Sequence, residues 1–335
     1  MLLSGIIVTG CKQGLEKNDK KQDSQESVQT ELQIKANKYF APLPEIAENS
    51  DNPLSEAKIK LGKTLYFDTR LSKDGNNSCN SCHNLETYGV DNLPTSPGDA
   101  GENGDRNSPT VLNAALHFSQ FWDGRNKDVE EQAGGPILNP VEMAIPSEEF
   151  LIKRLSEVEE YKVMFSEVYP DEEDPLSYQN LTKAIAAFER TLLTPSKFDQ
   201  FLKGDADALT ENEKKGLETF IDVGCIICHS GTVLGGNMFQ KFGLFGDYWE
   251  YTGSDAVDEG RYTETGNDQD KHIFKVPSLR NIEKTYPYFH DGSVNDLTDA
   301  LDIMSKLELN KNLSEEEISD IIAFLKSLTG EVVYN

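Results

Sequence analysis

Cys79-Asn80-Ser81-Cys82-His83 and Cys225-Ile226-Ile227-Cys228-His229 take up four of the five cysteines in a chain of 335 residues. Cys-x-x-Cys-His is the spacing at which two thiols add to the vinyl groups of one haem while the adjacent His ligates its iron. Cys79 and Cys82 would attach one haem c, with His83 on the iron. Cys225, Cys228 and His229 would do the same for a second. Zinc ribbons pair two Cys-x-x-Cys knuckles about 15–20 residues apart, and these two lie far apart in the chain. A thioredoxin-like dithiol needs a βαβ context, and no strand alternation of any length is visible. Neither alternative requires His directly after the second Cys. Two haems would carry most of the chemistry, leaving the protein to bind, orient and tune them.

A haem held by one His needs a sixth ligand or an open position, and that choice separates an electron carrier from an enzyme. The remaining histidines are His117, His272 and His290. Met143, Met164, Met238 and Met304 are the methionine candidates, and a Met ligand raises the potential of a haem. A haem left five-coordinate can bind peroxide.

The elements that must position these groups read as helices. One is expected from about Ser55 to Phe67, leading into the first motif. Residues 86–110 are rich in Gly, Pro, Asp and Asn and read as a long loop, a feature usually functional in a compact domain. Helical patches follow around 127–133 and 147–168. Leu181, Ile185, Phe188 and Leu192 recur at helical spacing, predicting a helix over 177–195 that Pro195 stops. Thr210-Glu211-Asn212-Glu213 and Ser314-Glu315-Glu316-Glu317 are capping boxes. The first opens a helix into Cys225, the second a C-terminal amphipathic helix. The fold class is mainly α, with two cytochrome c-like haem domains in tandem.

The formal net charge is −26, with 37% hydrophobic and 9% aromatic residues. Such a surface repels nucleic acid. It would steer a basic partner, or simply keep an exported protein soluble. Val8-Thr9-Gly10 before Cys11 resembles a bacterial lipobox, so residues 1–11 read as a signal remnant and Cys11 as a lipidated anchor in the periplasm. Residues 12–37 are polar and charged and read as a disordered tether, with order beginning near Pro42. No run of 18 apolar residues is present to span a membrane.

Residues 79–145 and 275–304 closely resemble the bacterial dihaem cytochrome c peroxidases, and the match extends from about residue 40 to the end. It is carried by Arg106-Asn107-Ser108-Pro109-Thr110-Val111-Leu112-Asn113, Gln120-Phe121-Trp122-Asp123-Gly124-Arg125, Glu131-Gln132-Ala133 and Pro140-Val141-Glu142-Met143. Pro277-Ser278-Leu279-Arg280-Asn281 and Tyr286-Pro287-Tyr288-Phe289-His290-Asp291-Gly292 extend it into the second half. The resemblance implies a peroxidatic, low-potential haem domain over 38–203 and an electron-transfer, high-potential haem domain over 204–335. His83 would be the proximal ligand where hydrogen peroxide reacts, with Gln132 and Glu142 on the distal face. Trp122 would lie between the haems, and His229 and Met304 would be the axial pair of the second. Asn107 would help hold calcium, which suits oxygen ligands. A small c-type cytochrome or copper protein would donate electrons, and a homodimer is implied.

Taken without the resemblance, Gln132 and Glu142 are ordinary surface residues, Trp122 and Met304 core packing, and Asn107 a turn residue. Two other functions stay open: a non-catalytic dihaem electron carrier, and a dihaem enzyme that oxidises a partner protein. The latter relatives have Tyr where Met304 stands. In one respect the sequence departs from many family members. Their long loop carries a His that caps the peroxidatic haem, and Asp99 occupies the corresponding position here. A carboxylate is a weaker haem ligand, so the first haem is expected to be open, on a loop kept mobile by Gly98 and Gly101.

Overall fold

The computed structural model describes residues 1–2, 29–254 and 256–334. Cys11 and most of the expected tether lie outside them. The described chain is mainly helical, with one short antiparallel ribbon pairing Phe239–Lys241 with Ile273–Lys275. Among the described residues no helix is long and apolar enough to cross a membrane.

Two large apolar cores organise the described residues. The first gathers Leu61, Leu65, Leu181, Ile185 and Phe188 from the helices Glu56–Tyr66 and Tyr178–Glu189. The second gathers Leu217, Phe220, Ile321 and Phe324 from Glu211–Val223 and Glu315–Lys326. Both capping boxes form, Thr210 with Glu213 and Ser314 with Glu317. Each core is built on the same plan. A helix that leads into a Cys-x-x-Cys-His motif crosses a later helix at a glycine. A Cβ on Gly62 would stand 1.8 Å from the Ala184 carbonyl oxygen, and one on Gly216 would stand 1.9 Å from that of Asp320. The helices therefore pack backbone to backbone, and no side chain at the crossing can move aside. Gly62→Ala and Gly216→Ala should each cost at least the ~1–3 kcal/mol typical of overpacking. Thermal denaturation of the two variants reads this; an unchanged midpoint would show that the crossing yields.

The N-terminal segment departs from expectation. Thr30 and Gln33 form a capping box that starts a helix at Glu31–Ala36, inside the stretch expected to be a tether. Gln33 Nε2 donates to the Phe201 carbonyl at 2.9 Å, and Ala36 and Phe40 join the second core. The polar composition of the region conceals a helical face that buries Gln33 and Ala36, with Phe40 buried just beyond the helix end. Phe198, Phe201 and Leu202 also belong to the second core. The chain thus passes between cores before the helix Lys197–Leu202, earlier than a boundary at 203.

The long helix ends at Glu189, short of Pro195. Asn113 accounts for this. Its N–H donates to Leu192 O at 2.9 Å, and its Oδ1 accepts from Thr194 N at 3.0 Å, drawing the chain out of the helix.

Candidate functional site

The second motif is positioned by a helix end. Glu211–Val223 stops on Gly224 at φ 104°, a left-handed conformation that glycine adopts without a Cβ penalty. The chain turns there into the single 3-10 turn Cys225–Ile227. His229 is buried, and its Nδ1 lies 3.1 Å from the Leu234 carbonyl oxygen. A carbonyl can only accept, so that partner assigns the proton to Nδ1 and leaves the Nε2 lone pair free for a metal. Burial also pulls the imidazole pKa down, which favours the neutral, ligating form. Met304 lies on Leu297–Leu309, and with Cys225, Cys228 and His229 it lines one cavity of about 480 Å³ whose walls are almost entirely apolar.

At the first motif, the single helical turn Cys79–Cys82 is capped by Ser78 and delivers His83 at its C-terminus. Tyr66, fully buried, donates its hydroxyl to the His83 carbonyl at 2.5 Å. His83 Nδ1 is buried without a hydrogen-bond partner, and the ring lies near the backbone of Pro109 and Gly89. Burial lowers its pKa. Glu142 lies within electrostatic reach of Cys82. Its Oε1 accepts from Asn139 Nδ2 at 2.7 Å. Burial raises its pKa, opposed by the Arg125 charge and the Asn139 bond. Gln132 ends the short helix Val129–Gln132, half-buried, and no hydrogen bond ties it to Glu142 or His83.

Asp99 is committed elsewhere. It is 4% exposed, and its carboxylate accepts from Asp74 N at 2.6 Å and Asn76 N at 3.0 Å. Backbone N–H bonds of this kind hold its pKa down against burial. Its own N–H donates to the Glu142 carbonyl at 2.7 Å. Gly98 serves close approach rather than mobility: a Cβ there would fall 1.7 Å from Val141 O. Asp99 therefore pins the long loop to the backbone of Glu142.

Trp122 stands at the seam between the halves. Its Nε1 donates to Asn107 O at 2.9 Å, its carbonyl accepts from Lys275 N at 2.7 Å, and it lines the same cavity as His229 and Met304. Asn107 N donates to His290 O at 2.7 Å, and Asn107 Nδ2 donates to Leu93 O at 2.9 Å. The seam is tied by Arg106, which bridges Asp123 at 2.5 Å and Asp258 at 2.6 Å. His272 Nδ1 lies 3.0 Å from the Asp258 carbonyl oxygen. Sequence reasoning assigned no role to this ion-pair network or to Lys275, because nothing in local spacing joins residues so distant. Phe121, beside Trp122, and Phe289, beside His290, are held at positive φ, 65° and 72°. Such strain in bulky residues gathers at sites whose surroundings impose it.

The donor set fits haem c better than the alternatives. Burial pushes the Cys82 thiol up to about 11 and Cys225 to about 12, and raises Cys79 and Cys228 as well. A zinc site or reactive dithiol needs thiolates, which these surroundings oppose, whereas a thioether is neutral. Among the described residues no group of three or more His, Cys, Asp or Glu side chains is placed to hold a metal ion.

A family model for di-haem cytochrome c peroxidase matches residues 56–207. The chain is 46% identical to the cytochrome c551 peroxidase of Nitrosomonas europaea, over 88% of this chain and 85% of that one. It is 44% identical to the cytochrome c551 peroxidase of Pseudomonas aeruginosa, over 90% and 87%. The crystal structure of a MauG-like protein associated with microbial copper homeostasis superposes with a TM-score of 0.77 at 30% identity, covering 86% of this chain and 94% of that one. Identity is thus higher to the peroxidases than to the MauG-like protein. With two Cys-x-x-Cys-His motifs on two helical cores and relatives matched over nearly their whole length, the chain belongs to the dihaem cytochrome c peroxidase family.

Proposed function

We propose that the chain reduces hydrogen peroxide to water at the first centre with electrons delivered through the second. The observation that carries this reading is an asymmetry between the centres. The second has a methionine, Met304, lining the same cavity as His229. The first offers a half-buried carboxylic acid, Glu142, near Cys82. Each apolar core would house one haem c, bound through Cys79, Cys82 and His83 or through Cys225, Cys228, His229 and Met304. A haem held in this way would supply the redox chemistry of peroxide reduction.

The chain's own contribution is proton handling, orientation and wiring. Glu142 would take a proton from one peroxide oxygen and return it to the departing one, a general acid–base role. Asn139 orients the carboxyl for it. Gln132 would orient the peroxide by hydrogen bonding. Trp122 would connect the centres. Each turnover consumes two electrons and two protons and yields two waters. Ile227, Leu244 and Phe245 are exposed at the rim of the second cavity, an apolar landing for a small c-type cytochrome or copper protein. The net charge of −26 would steer a basic donor. Calcium at Asn107 would draw on neutral oxygens, since the Asn107 amide nitrogen is spent on Leu93 O. A homodimer, a periplasmic location and an anchor through Cys11 complete the proposal.

Asp99, bound to the 74–76 backbone, has no free carboxylate to offer the first haem. The first centre should then react without prior reduction of the second. Peroxide consumption by fully oxidised and by half-reduced holoprotein tests both points. Equal rapid turnover is expected. Turnover only after reduction would end the open-site reading. Absence of turnover in both states would end the peroxidase reading and turn attention to an electron carrier or a protein-oxidising enzyme.

A further inference from the structure

Lys275 is buried at 6% exposure, yet no carboxylate among the described residues lies within ion-pairing distance of it. Its ammonium donates to Ser119 O at 2.9 Å and to His117 Nδ1 at 3.3 Å. An ammonium has three donors and no acceptor, so one donor remains. The partner also settles the state of His117. Because Nδ1 accepts from Lys275, the neutral ring carries its proton on Nε2. That Nε2 is buried with no hydrogen-bond partner. Gly236 holds the ring in place from behind: a Cβ there would stand 2.6 Å from His117 Cδ2. Lys275 and His117 both line the cavity that contains Cys225, Cys228, His229 and Met304.

Two donors and an unbalanced positive charge therefore share one wall of an otherwise apolar cavity. A buried charge without a partner costs several kcal/mol, and what it lacks is an anion. The geometry points to a carboxylate seat: Lys275 and His117 receive a propionate carboxylate of the second haem. The inference rests on the dihaem reading above and deepens it. Haem brings two carboxylates into this site, and the sequence supplies a built counter-charge for one of them. The seat is assembled from both halves of the chain. His117 comes from the segment that leads to Trp122, and Lys275 from the ribbon strand Ile273–Lys275, whose N–H holds the Trp122 carbonyl.

The groups facing the seat are few. Asp123 acts on Lys275 from beyond contact, and His117 is the other titratable neighbour. Without an anion, burial pulls the Lys275 ammonium down to about 7. A carboxylate beside it would restore the charged form and be held ionised in return. The consequence is redox behaviour. With the pair intact the carboxylate stays ionised in both iron states, so the second haem's potential should be flat across neutral pH. Without the ammonium, the carboxylate takes up a proton when the iron is reduced. The potential then falls as pH rises.

Potentiometric titration of the second haem against pH tests this in holoprotein whose two haems have first been counted by their pyridine haemochrome. Wild type and Lys275→Arg should be flat, and Lys275→Met and Lys275→Gln should slope. Flat curves in both neutral variants would overturn the seat. If the neutral variants fail to accumulate holoprotein while Lys275→Arg does, the charge is required and the seat stands. If Lys275→Arg fails too, the position is merely structural and the seat falls. A wild-type count below two haems would overturn the dihaem reading instead, a result separate from any slope.

Discussion

Glu142→Gln should lower the second-order rate with peroxide by about 10²–10⁴-fold, the usual range for general acid–base catalysis, and leave both haem spectra unchanged. Gln keeps the size of the side chain and an oxygen for Asn139 Nδ2, but it cannot exchange a proton. The pH profile gives a second reading. Burial raises the Glu142 pKa, with Arg125 and Asn139 opposing. The base form is lost as pH falls through that raised value. The acidic limb of kcat/KM in wild type should then lie above the ordinary carboxylate range, near 4.3 for Glu, and should vanish in the variant. A variant within tenfold of wild type at neutral pH, or one that keeps the acidic limb, would remove Glu142 from the role.

The two Cys-x-x-Cys-His motifs were legible in the sequence because a signature for covalent haem attachment is contiguous. On the proposed reading Cys79, Cys82 and His83 follow one another to reach one macrocycle, as do Cys225, Cys228 and His229. Helix starts were legible for the same reason: a capping box spans four residues, and Thr210 with Glu213 forms as read. Met304 is of another kind. By periodicity it is a core methionine beside Leu301, and only the cavity it shares with His229 distinguishes it. The seam was not legible at all. Arg106, Asp123 and Asp258 form one network across a long stretch of chain. Lys275 reads as one more polar strand residue until His117 is seen beside it. The N-terminal helix failed for a physical reason. Ala36 and Phe40 find their core in residues near 200 and 220, so no local apolar run announces it. Asp99 was read for what it is not, a His. Its positive task, accepting from Asp74 and Asn76, needs the fold.

Arg280→Met should destabilise the second core by about 3–5 kcal/mol, the range for removing one partner of a buried ion pair. Arg280 and Asp199 are both nearly inaccessible, joined at 2.5 and 2.9 Å. Asp199 also accepts from Leu43 N and Ser196 N, both at 2.7 Å. Met fills much of the volume but leaves a carboxylate buried without its counter-charge. The sign with pH follows from Asp199. Burial raises its pKa, but the Arg280 bonds and charge outweigh that, and the folded value is lowered. Its contribution is present above the unfolded value, near 3.9, and is lost as pH falls through the folded one. The stability gap between Arg280→Met and wild type should therefore be widest near neutrality and narrow in acid, where Asp199 can protonate. Urea unfolding at several pH values measures it. The same change should reach the second centre. Arg280 donates to Thr232 O at 2.8 and 3.1 Å, within the loop whose Leu234 carbonyl orients His229. Loosening that loop frees the imidazole to rotate, so on the proposed axial pair of His229 and Met304 the spectroscopic signature of methionine ligation should weaken before global unfolding. A loss below about 1 kcal/mol, within the range of an exposed pair, would show that the pair is solvated in solution and that the loop is held by other contacts.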